Sequence, residues 1–209
     1  VDAETCHELA WNYLRSGQTD LALEHARRAH ELSRGNVAYL NTLGVAYGES
    51  GELALAEATF RKALKRKPGF IDALVNLAKS LEKQERLDEA GQSYERALAI
   101  EPAFPKLATN LVKVYSQRGE VALARGLLEK QARTIDPQDF AIAMAQCELD
   151  AGESERALSR LAKAVAEHDD WKLARSALAH ALLSTGRWRE GWKEYVRRRN
   201  LFDARPTEL

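Results

Sequence analysis

Large apolar, small and polar positions return along this chain about every 34 residues and hold one register nearly from end to end. Leu9, Leu43, Leu77, Leu111, Met144 and Leu178 form a large apolar column, with Ala10, Gly44, Ala78, Val112, Ala145 and Ala179 as a small column beside it. Tyr13, Tyr47, Leu81 and Tyr115 follow the first column by four residues, one helical turn on. Ala22, Ala56, Ala90, Ala124 and Ala157 open a second set, Ala29, Ala63, Ala97 and Ala164 close it, and Phe60, Tyr94, Leu128, Leu161 and Tyr195 lie between. Apolar residues at i, i+3, i+4 and i+7 predict two amphipathic helices per unit, joined by a short turn. Gly17, Gly51, Gly119, Gly152 and Gly186 stand in that turn, with Glu85 in the third unit, where a left-handed helix end is needed. Pro68 and Pro102 close their units and Pro137 does so one position late, because proline has no N–H to continue the ladder. Small residues let two helix backbones approach until their large neighbours interlock. One pair cannot bury its apolar face alone, so the pairs must stack.

The stretch "YLNTLGVAYGESGELALAEATFRKALKRKP" carries the pattern most fully, through Leu40, Leu43, Gly44, Tyr47, Gly51, Ala56, Phe60, Ala63 and Pro68. "ALVNLAKSLEKQERLDEAGQSYERALAIEP" follows it closely. These columns resemble the tetratricopeptide repeat, or TPR, over essentially the whole chain. The resemblance implies an all-α fold, a right-handed α-α superhelix (TPR solenoid) of about six helix-turn-helix units. Residues 3–205 would form a single array, with units at 3–36, 37–70, 71–104, 105–137, 138–171 and 172–205 and a tail at 206–209. The glycines of "GVAYGESG" then need no phosphate. Gly44 belongs to the small column, Gly51 to the turn, and Gly48 lies where the family's first helices line the inner groove. Their spacing fits neither a dinucleotide fingerprint nor a phosphate loop.

Composition narrows the function classes. The 31 basic and 31 acidic residues cancel, which removes any global field favouring nucleic acid or an anionic membrane. No apolar run approaches the roughly 20 residues that span a bilayer. Cys6 and Cys147 lack CxxC spacing and suit a reduced, cytoplasmic setting as small buried apolar residues. The first residue is Val rather than Met, which reads as a fragment cut from a larger protein. "HELAW" at His7 and "HELSR" at His30 lack the second histidine of a zinc site, and His25, His168 and His180 have no nucleophile or carboxylate at a recognisable spacing. No catalytic residue, metal site or cofactor is expected in this chain. Glu148 breaks a column of Tyr and Leu, and a slight helix rotation that buries Phe140, Met144 and Cys147 would leave it at the rim.

In the TPR family the first helix of each pair lines a concave groove that holds extended peptides or partner helices. On those positions the resemblance places Asn76 and Lys79, then Asn110 and Lys113 one repeat on. Lys83, Lys106, Thr109 and Gln117 flank them, and Asn41 continues toward the N-terminus. Asparagine amides both donate and accept, which suits a peptide backbone, while lysines suit acidic side chains or a terminal carboxylate. The set of Lys, Asn and Arg by which the family's chaperone-tail clamps act is not completed by any three consecutive repeats. The carboxyl-terminal "GRWREGWKEYVRRRN" resembles the last repeat of bacterial proteins in which a TPR array precedes a glycosyltransferase-like domain. Its Trp188, Trp192 and Tyr195 form a stripe at i, i+4 and i+7 that reads either as the core of a capping helix or, with Arg199 and Phe202, as an interface. The expected function is a non-catalytic protein-interaction scaffold. The alternatives are an acceptor-guiding region of a protein glycosyltransferase and a self-associating structural array. Expected partners are a protein or peptide, a downstream catalytic domain of the same polypeptide, or a second copy in a homodimer, with neither nucleic acid nor membrane.

Overall fold

A computed structural model describes residues 1–104 and 106–203, with side chains for 1–104 and 106–197. The expected tail at 206–209, the end of the sixth unit and Pro105 lie outside the described residues. Within them run twelve α-helices and no strand: α1 (Ala3–Arg15), α2 (Thr19–Leu32), α3 (Val37–Glu49), α4 (Leu53–Arg66), α5 (Ile71–Lys83), α6 (Leu87–Ile100), α7 (Leu107–Gln117), α8 (Val121–Gln131), α9 (Pro137–Asp150), α10 (Ser154–Glu167), α11 (Lys172–Ser184) and α12 (Trp188–Asp203).

Local chemistry starts and stops them. The Asp2 carboxylate accepts from the Thr5 N–H at 2.8 Å, and the Asn36 amide oxygen from the Ala38 N–H at 2.9 Å, capping α1 and α3. The turn glycines take φ values of 72° to 83°, and after α1 the Gln18 N–H reaches back to the Tyr13 carbonyl at 2.9 Å. Glu85 adopts the same left-handed conformation, φ 60°, and keeps the motif intact: the Arg86 N–H reaches Leu81 at 3.0 Å. Pro68 and Pro102 stand two residues beyond α4 and α6, as closing residues should.

Pro137 does not close a unit. It is the first residue of α9, behind the Asp136 cap, while α8 has already ended at Gln131. Its fixed φ suits a first helical turn, whose N–H groups need no intrahelical partner.

The chain divides into two compact units, Val1–Leu107 and Ala108 onward. In the first, Leu43 and Ala46 of α3 pack with Ala10 of α1 and Ala26 of α2. The small column is needed here, since a Cβ on Gly44 would stand 2.5 Å from the buried Phe60 ring. In the second, Val112, Ala124, Leu128, Met144 and Cys147 form one cluster across α7, α8 and α9. Leu158 and Leu161 of α10 join Leu178 and Leu182 of α11 in another. Each large apolar side chain so buried contributes on the order of 1.5–3 kcal/mol.

Candidate functional site

In the first unit, α5 presents Asn76, Lys79 and Lys83 at i, i+3 and i+7, one face of a helix. They line a cavity of about 140 Å³ together with Gly48 of α3. Gly48 leaves that space open, because the nearest atom to a Cβ added there is the Ala56 Cβ at 3.9 Å. Asn41 of α3 is buried, and its Oδ1 accepts from the Asn76 Nδ2 at 3.1 Å. This bond fixes the Asn76 amide at the cavity wall. The Lys83 ammonium lies 3.5 Å from Glu49, an exposed pair, while among the described residues Lys79 has no ion-pair partner.

In the second unit, Thr109, Lys113 and Gln117 line a cavity of about 380 Å³ with Ser116 of α7 and Gln146 and Asp150 of α9. Gln146 donates to Asp150 at 2.8 Å. A carboxylate therefore faces the same space as Lys113, and this half is of mixed charge rather than basic. Asn110 is half-buried on α7, and Lys106 sits in the turn ahead of that helix at φ 59°.

The most buried ions were not singled out as sites by their columns. Glu148 is 1% exposed, not at the rim. Met144 and Cys147 are buried as expected, with Phe140 packed against them, but Glu148 is buried too, because α10 supplies a countercharge: Arg160 donates to both carboxylate oxygens, at 3.0 and 2.7 Å. A bidentate guanidinium compensates the desolvation that would otherwise expel the acid. Glu57 is buried likewise between Arg61 and Arg86, with the Gln84 amide donating at 3.2 Å, and Arg175 is buried against Asp169 and Glu194. These groups neutralise one another, although the Arg175 Nε has no hydrogen-bond partner among the described residues. Burial pushes the Cys147 thiol up, away from the reactive thiolate. Burial and the bond it donates to Glu82 at 2.7 Å likewise push the Tyr94 hydroxyl well above its usual range. Among the described residues no group of histidines, cysteines and carboxylates could hold a metal ion, and no helix is long and apolar enough to cross a membrane.

The aromatic stripe of α12 is on the surface. Trp188, Trp192 and Tyr195 are 63%, 56% and 38% exposed, which overturns their reading as the core of a cap. What packs α12 onto α11 is Gly191, where a Cβ would meet Leu183 at 2.7 Å, and the 2.8 Å bond from Arg175 to Glu194. Arg199 and Phe202 lie outside the residues with described side chains.

Two family models, both described as tetratricopeptide repeat, match the chain, one at residues 7–70 and 41–108 and the other at 81–147. No curated protein matches it in sequence. Among solved structures, a tetratricopeptide repeat protein from Parabacteroides merdae superposes with a TM-score of 0.77 at 17% identity, over 92% of this chain and 77% of that one. The pilF protein of Pseudomonas aeruginosa gives 0.73 at 21% identity, over 97% and 93%. The first TPR of Spaghetti, bound to the HSP90 peptide SRMEEVD, gives 0.53 at 22% identity, over 56% and 98%. At these identities the likeness is one of fold. With the family models spanning most of the chain, it belongs to the tetratricopeptide repeat family.

Proposed function

We propose that this chain is a non-catalytic interaction scaffold that holds an extended, acidic peptide segment of a partner protein against its first helices. Tetratricopeptide repeats generally mediate protein–protein interaction, and such proteins are usually scaffolds rather than enzymes. The observation that carries the reading is the Asn76 amide, held by Asn41, with Lys79 on the same cavity wall and without an ion-pair partner among the described residues. An amide held at the wall can bond a peptide backbone without first losing side-chain freedom, and the ammonium can take a carboxylate. The Spaghetti domain, bound to a peptide that ends in Glu–Glu–Val–Asp, supports the chemical class. Lys113 extends the same preference in the second unit, where Asp150 moderates it.

The test is a fluorescence anisotropy titration of the full chain with labelled SRMEEVD and with an analogue whose acidic residues are replaced by their amides. Binding of the acidic peptide is expected to be weak, to fall with added salt, and to drop about tenfold or more in Lys79→Glu/Lys113→Glu. Equal binding by the double variant, with its melting curve unchanged, overturns the assignment.

A further inference from the structure

One column of the repeat stays open along every first helix. Trp11, Val45, Lys79, Lys113, Gln146 and His180 hold the same place on α1, α3, α5, α7, α9 and α11, 34 residues apart but for one step of 33. Val45 is half-buried and the others are exposed. Four of the six line the two groove cavities: Val45 and Lys79 in the first unit, Lys113 and Gln146 in the second. The column stays open even where helices pack all round, since α3 meets α1, α2, α4 and α5 and its Val45 still reaches the cavity. The 38% exposure of Trp11 therefore belongs to the column and not to its place in the first pair.

Within the first unit the chemistry changes along this row. Because α3 contacts α1 on one side and α5 on the other, Trp11, Val45 and Lys79 cross three adjacent helices, from indole through aliphatic to ammonium. The other charges on the Lys79 cavity are Lys83 and Glu49, which pair with each other at 3.5 Å and leave the Lys79 charge in excess. About Trp11, Glu8 and Arg15 lie one turn to either side and are opposite in sign. One end of the row is thus an apolar surface without net charge, and the other is positive.

We infer that Trp11 is a second recognition point of the groove: it takes a large apolar side chain of the same extended peptide whose acidic side chain meets Lys79. This rests on the peptide-groove reading and adds a spacing to it. Helix axes about 8–10 Å apart put the two ends of the row about 16–20 Å apart. An extended chain advances about 3.3 Å per residue, so the apolar and acidic residues should stand about five or six positions apart. An indole offers a broad contact surface with little side-chain freedom to lose, which is why binding energy concentrates on such residues.

The experiment titrates the full chain with four labelled peptides on one Ser/Thr scaffold. FSTSTEE and EETSTSF carry the ring and the acids at the expected spacing in the two chain directions, FEESTST brings them together, and SSTSTEE lacks the ring. Fluorescence anisotropy gives the affinities, and the Trp11 indole N–H resonance, assigned from Trp11→Gln, reports the contact. One of the two spaced peptides should bind about tenfold more tightly than FEESTST and SSTSTEE and should shift that resonance. Trp11→Gln should lower its affinity to that of SSTSTEE, whose own binding should not change. The peptide comparison and the indole shift use the unaltered chain, so they decide the matter whatever Trp11→Gln does to stability. Spaced peptides that bind no better than SSTSTEE, or an indole that does not move at saturation, overturn the inference while leaving the groove reading intact if Lys79→Glu still weakens SSTSTEE. No binding, or binding indifferent to Lys79→Glu, removes the groove reading and this inference with it.

Discussion

Removing the guanidinium beside Glu148 is the most demanding perturbation of the fold. In Arg160→Met a carboxylate that is 1% exposed loses both short hydrogen bonds, at 2.7 and 3.0 Å, and keeps the more distant Arg156 Nε at 3.9 Å. Breaking a buried pair from one side costs about 3–5 kcal/mol. Because Arg160 is itself about a third exposed, water can reach part of the gap, and roughly 2–3 kcal/mol is the expected loss. Glu148→Leu is the opposite case. It restores the large apolar residue that the column holds elsewhere and removes the buried charge, so its effect should lie within about 1 kcal/mol of zero. The double variant should then lie within about 1 kcal/mol of the parent, giving a coupling energy of about 2 kcal/mol. Urea unfolding followed by circular dichroism at the helix band reads all four proteins. A harmless Arg160→Met, or a Glu148→Leu loss above about 2 kcal/mol, would refute the claim that the guanidinium is what keeps this acid buried.

Two further outcomes follow from the first unit. Gly44→Leu should cost about 1–3 kcal/mol by forcing a side chain into the Phe60 ring, whereas Gly48→Ala, with open space around its Cβ, should gain about 0.5–1 kcal/mol; melts ranking them in reverse would refute the register. Burial holds the His7 and His30 imidazoles below 6.5, assisted at His30 by Lys62, Arg66 and Arg34, so their neutral forms favour the folded state. The stability they contribute is complete above pH 6.5 and is lost as the pH falls from there through the lowered folded values. Melts from pH 7.5 down to about 5.5 should therefore show a shallower decline in His7→Gln/His30→Gln than in the parent.

The repeat columns made the fold legible because each one is a packing requirement. A small residue marks a close helix approach, as at Gly44 against Phe60, and a turn glycine marks a positive φ. Such requirements recur at the repeat period and can be read without partners. What could not be read depends on a partner outside the column. Glu148 is buried because of Arg160, twelve residues on in the next helix, and Asn41 because its oxygen accepts from Asn76. Periodicity has no term for either pairing. Pro137 misled because proline is equally at home just after a helix and at its first turn, and only the Asp136 cap distinguishes the two. The α12 stripe misled for a related reason. An apolar face at helical spacing shows that something covers it in the interior of an array, but among the described residues no helix follows the last pair.

The central claim is that the first helices hold an acidic extended peptide at the Asn76 and Lys79 wall. Its most direct test is a two-dimensional amide NMR titration of the isotope-labelled full chain with unlabelled SRMEEVD. The Asn76 side-chain amide and the backbone amides around Lys79 and Gly48 are expected to shift progressively with peptide, and Lys79→Glu to suppress those shifts. Shifts confined to α12 or to the second helices, or no shifts at peptide concentrations in the millimolar range, would contradict it.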